Sequence, residues 1–151
     1  MEESTTDLLN TFDKTPADRL DSFIFEHAKD IPQKMIFSSY IRQTDIPLSK
    51  VYANCAGYIS KSYFYDVVNG TKNAPSRDVV LIICLAAHLN RKETRRVLEN
   101  YGHRELYLKD TRDIIIATHI NNEDFSIATI NEDLYAHDCR LLHDTEVSYD
   151  S

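Results

Sequence analysis

Eight side chains between Lys50 and Arg77 share a type and spacing with one use. Lys50, Lys61, Lys72 and Arg77 are cations strung along the stretch, and Ser62, Tyr65, Asp66 and Asn69 are polar groups set among them. Ammonium and guanidinium groups neutralise phosphates, while hydroxyl, phenol, amide and carboxylate groups match donors and acceptors on base edges. Catalysis has no comparable set. No glycine-rich phosphate loop, nucleophile elbow, HExxH or CxxC occurs. Asp110, Asp113, Glu123, Asp124, Glu132 and Asp133 imitate paired catalytic acids, but carboxylates so abundant on polar faces read more simply as solvated. His137, Cys139 and His143 could supply three zinc ligands if the tail folded back. They sit at a helix end without the second half of a metal motif, so neither metal nor cofactor is expected. Cys55, at the end of a short helix, is placed as a thiol sensor would be, and Cys84 reads as inert core. The expectation is a binding protein, not an enzyme.

The elements that position these groups follow from caps and apolar spacing. Leu48-Ser49 opens a short helix to about Ala56, and Gly57 breaks it. A second short helix runs from Ser60 to Asn69, with Phe64, Val67 and Val68 on one apolar face and Ile59 just ahead. Lys61, Ser62, Tyr65, Asp66 and Asn69 are left pointing outward, and Tyr63 borders the apolar face as half-buried scaffold. Asn69-Gly70 stops the helix. Ser76 then caps the almost wholly apolar VVLIICLAAHL over 79–89. Two short helices joined by a tight turn and followed by a buried helix make a helix-turn-helix.

This stretch resembles the phage-repressor-type, Xre-family helix-turn-helix domains of bacterial regulators. The likeness is to a subset with a Tyr-x-Tyr, Gly and Pro-Ser-Arg-Asp pattern, here Tyr63, Tyr65, Gly70 and Pro75-Ser76-Arg77-Asp78. Leu106-Tyr107, Arg112-Asp113 and Asn131-x-x-Leu134-Tyr135 resemble the tail of the same group, so the match covers roughly residues 35–142. The resemblance implies sequence-specific binding to double-stranded DNA by a transcriptional regulator, with the second short helix in the major groove. Lys61, Ser62, Tyr65 and Asp66 would then face bases, and Lys50, Asn69, Lys72 and Arg77 would face phosphates. Asp66 is repelled by DNA unless it accepts from cytosine N4.

Charge is distributed as this reading needs. The chain of 151 residues carries a net −7, yet residues 47–102 hold 8 Lys/Arg against 4 Asp/Glu. Residues 1–46 hold 5 against 9 and residues 103–151 hold 4 against 11, so a basic island lies between acidic flanks. Local field steers contact with phosphate more than net charge does. Arg91, Lys92, Arg95 and Arg96 lie further along the island, where a solvated helix face accounts for them equally well.

The remaining segments read as helices around this unit. Thr15-Pro16 opens a helix carrying Leu20, Phe23, Ile24 and His27, and Asp30-Ile31-Pro32 opens another with Met35, Ile36, Phe37, Tyr40 and Ile41. Asn90 and Glu93 form a capping box for a helix ending at Gly102. Ile114–Ile120 is read as helix over strand, Ser126 caps a last helix, and no repeat is evident. The expected fold is all-α. It comprises an N-terminal extension (1–30), a five-helix repressor-like domain (31–102), a C-terminal helical pair (103–142) and a disordered tail (143–151).

The isoleucines of that pair, with Ile127, Ile130 and Leu134, exceed what a small core needs and suggest a homodimer. Three unpaired cysteines and the lack of a membrane-length apolar run or signal pattern suggest a cytoplasmic protein. A rival reading keeps the helix-turn-helix as scaffold and makes the chain a protein-interaction module. A third makes the C-terminal pair a small-molecule sensor, for which the sequence offers no polar constellation.

Overall fold

Helices account for every regular element in the computed structural model, which describes residues 36–71 and 75–143. Those described residues form α1 (Ile36–Thr44), α2 (Leu48–Cys55), α3 (Lys61–Val68), α4 (Arg77–Ala86), α5 (Arg91–Asn100), α6 (Thr111–Asn121) and α7 (Ile127–Ala136). Among them there is no strand; an isolated bridge between Ala56 and Ile59 spans the turn from α2 to α3. The expected N-terminal helix, Lys72 and the tail beyond His143 lie outside the described residues.

Local chemistry explains most boundaries. Ser60, Ser76 and Ser126 cap α3, α4 and α7 by accepting from Tyr63, Val79 and Thr129 backbone N–H groups. Asn90 and Glu93 make the reciprocal box on α5, at 2.8 and 2.9 Å. The start of α2 differs from expectation. Pro47 is its cap position and supplies the carbonyl that Val51 N–H reaches at 3.0 Å, so Ser49 lies inside the helix. At the turn after α2, Gly57 has φ +91, which a side chain would strain, so Gly57 makes the bend.

α4 is the hub. Every residue from Asp78 to Ala86 is buried; α2, α5 and α7 pack on it, while α1 packs on α5. The tightly packed Phe37, Phe64, Leu81, Leu98, Ile130 and Leu134 are all fully buried. The two apolar stripes expected to join copies of the chain are consumed within it. Ile116, Ile120, Ile127, Ile130 and Leu134 are buried, and of that group only Ile114 keeps 41% exposure.

The hairpins α4–α5 and α6–α7 correspond, although no repeat was legible in the sequence. Arg77 near the start of α4 holds the carbonyls of Arg104 and Glu105, which follow α5. Arg112 near the start of α6 holds the carbonyls of Arg140 and Leu141, which follow α7. Each arginine also grips the aspartate beside the other: Arg77 to Asp113 at 2.9 Å and Arg112 to Asp78 at 2.8 Å. α4 packs on α7 just as α5 packs on α6. Exchanging the hairpins therefore reproduces the same pairings. That is a two-fold arrangement rather than a stacked series, in which each unit would grip only the next.

Candidate nucleic-acid interface

Lys61 and Ser62 occupy the first turn of α3, immediately after the capping Ser60, and both are exposed. The helix begins here because the Ser60 hydroxyl satisfies Tyr63 N–H at 3.3 Å, and it is anchored by buried Phe64, Val67 and Val68. Lys50 is exposed in the first turn of α2 and Asn69 is exposed at the end of α3. The structure thus brings the first turn of each short helix to the surface with a cation on it.

Tyr65 and Asp66 are more constrained than their sequence positions suggested. The Tyr65 ring lies perpendicular to Phe64 at 5.1 Å and 6.4 Å from the ring of Tyr52, which itself packs on Phe64 at 5.5 Å. Tyr52 was missed from sequence. Its partner lies on the next helix, and no spacing within α2 marks it. Asp66 is exposed, with the Thr71 hydroxyl 3.2 Å from its Oδ1 and 3.0 Å from its carbonyl. Thr71 N–H donates to the same carbonyl at 2.8 Å. The carboxylate therefore helps close the end of α3 while still facing solvent.

Arg77 requires correction. It was expected on phosphate, but its Nε and both terminal nitrogens donate to the carbonyls of Arg104 and Glu105 and to the two oxygens of Asp113. Asp113 is 1% exposed and also accepts from Tyr107 N–H at 2.8 Å. A guanidinium moved to phosphate would leave this buried carboxylate with only the more distant, exposed Arg104 at 3.6 Å, at a cost of about 3 kcal/mol. Arg77 and Asp113 are structural, and so are Arg112 and Asp78. Asp110 likewise serves as the cap of α6. Arg91, Arg95 and Arg96 are half-buried, not a fully solvated face.

The other candidates resolve similarly. His119, 8% exposed, places its two ring nitrogens 3.0 Å from Asp124 and 2.6 Å from Asp133, so these carboxylates also do structural work. Asn131 exchanges two hydrogen bonds with the Leu142 backbone, fixing the chain after α7. His137 and Cys139 bond to nearby carbonyls, and no group of three metal-binding side chains forms among the described residues. Burial pushes the Cys55 thiol up to about 12, which leaves it without the thiolate a sensor needs. Cys84 is shifted in the same direction for the same reason. No described helix is long and apolar enough to cross a membrane. No family model, curated protein or solved structure matches this chain.

Proposed function

We propose that the chain is a sequence-specific duplex-DNA-binding protein of the helix-turn-helix type, a bacterial transcriptional regulator resembling the Xre family. The observation that carries this reading is the α2–turn–α3 unit, with α2 packed on buried α4 and α3 anchored by buried Phe64, Val67 and Val68, and with Lys61 and Ser62 exposed at the start of α3 and Lys50 at the start of α2. With α3 in the major groove, Lys61, Ser62, Tyr65 and Asp66 address base edges, while Lys50, Asn69 and Lys72 address phosphates. Two copies on adjacent half-sites complete the reading. The surface left for such pairing includes Tyr107 and Leu108, just ahead of α6, and Ile114 on it.

A binding selection against random duplex DNA at low and moderate salt tests the proposal. An enriched motif with salt-dependent affinity supports it; absence of salt-dependent duplex binding at about 50 mM salt overturns it. Exposed Asp66 on the outward face of α3 and the net charge of −7 favour a second reading. There, the helix-turn-helix serves as scaffold for binding another protein.

A further inference from the structure

A cleft of about 540 Å³ opens beside the turn of the helix-turn-helix, within the usual size range of small-ligand sites. One side is the end of α2 and the turn, with Ala53, Asn54, Ala56 and Tyr58. The other is the α6–α7 loop, with Glu123, Asp124 and Phe125, and His88 closes it from the end of α4. None of the residues assigned to bases or phosphates lines it.

The lining has a definite chemistry. The alanines leave room, and Tyr58 and Phe125 supply aromatic surface. Phe125 is held by stacking on the His88 imidazole, with centroids 4.7 Å apart and planes 11° apart. The formal charges are the carboxylates of Glu123 and Asp124, and no Lys or Arg lines the cleft. Asp124 is already engaged by His119. The Glu123 carboxylate is exposed and has no hydrogen bond or ion pair with another described residue. His88 adds no positive charge at neutral pH, because burial and then the charge of Lys50 hold its imidazole below the usual range. A cleft lined by both a carboxylate and aromatic side chains suits a cation with an apolar stem.

We propose that this cleft binds a small organic cation, an ammonium or guanidinium group on a short alkyl stem. Glu123 is the charge partner, and Phe125 and Tyr58 flank the stem. Because the lining joins the second hairpin to the helix-turn-helix, occupancy holds the turn ahead of α3. A consequent change in duplex affinity rests on the DNA reading above; binding of the cation does not.

The full chain is titrated with n-butylammonium and n-butylguanidinium, using n-butanol as the uncharged control, and amide shifts are followed by NMR. Saturable shifts at Ala53, Ala56, Tyr58 and Ala128 with the cations, but not the alcohol, are expected. Glu123→Gln should weaken binding about tenfold and Phe125→Leu about threefold, with an unchanged helical spectrum. Equal response to butanol, no saturable shifts, or undiminished binding by Glu123→Gln overturns the site. Repeating the duplex titration with cation present then tests the coupling. A cation-dependent change lost in Glu123→Gln supports it, and unchanged duplex affinity with cation bound overturns the coupling alone.

Discussion

Lys61 and Arg77 are both cations of the basic island, yet Lys61 is exposed while Arg77 is engaged within the fold. Lys61 is exposed in the first turn of α3; on the proposed docking it reaches guanine O6 and N7, so Lys61→Ala should cost about 1–3 kcal/mol on the preferred duplex and relax choice at one base position. Fold stability should stay unchanged, which thermal melting checks. Arg77→Ala should do the reverse: it leaves Asp113 buried without its principal partner and should destabilise the fold by about 3 kcal/mol. Its effect on the salt dependence of DNA binding should be nil once the folded fraction is matched. Lys50→Ala should instead lower the salt slope by about 0.9. A slope lowered by Arg77→Ala, with stability intact, would return that residue to the phosphate backbone.

Elements were legible where the signal was local. The Asn90–Glu93 box, the caps at Ser76 and Ser126 and the helical reading of Ile114–Ile116 needed only neighbours within a turn or two, and they are found as expected, whereas the cap expected at Leu48-Ser49 falls on Pro47. What could not be read joins distant elements: the reciprocal Arg–Asp pairs span 34 and 36 residues, and the Tyr52–Tyr65 contact crosses the turn. Nothing in the spacing of isolated charges says that they are partners. The stack of His88 on Phe125 also joins hairpins and makes a pH prediction. The His88 pKa is lowered on folding, so below its unfolded value of about 6.5 the unfolded chain binds the extra proton first. Its contribution to stability is therefore intact above that pH and falls on acidification. His88→Asn, which tolerates the φ of 60 at this site, should flatten the decline between about pH 7 and 5. Chemical unfolding at a series of pH values measures the two slopes, and parallel slopes would remove His88 from the account.

At the scale of the whole molecule, the two hairpins close on one another, and this bears on how copies associate. Most of the isoleucines that suggested a dimer, Ile116, Ile120, Ile127 and Ile130, are buried within the chain. Among the described residues the large apolar side chains still exposed are Tyr107 at 48%, Leu108 at 52%, Ile114 at 41%, Tyr135 at 77% and Leu141 at 36%. A stable interface buries about 800 Å² on each partner, more than these few side chains supply. The chain without DNA should therefore sediment as a single 17.5 kDa species at tens of micromolar. Pairing should appear only on a duplex carrying two half-sites about 10 base pairs apart, where two copies meet at high local concentration. Ile114→Asp should leave melting temperature and single-site affinity unchanged while abolishing cooperative filling of the second site. A dimer of free chains that Ile114→Asp does not disturb would place the self-association surface elsewhere. Single, non-cooperative occupancy of the paired site by the wild type would mean that one copy reads DNA alone.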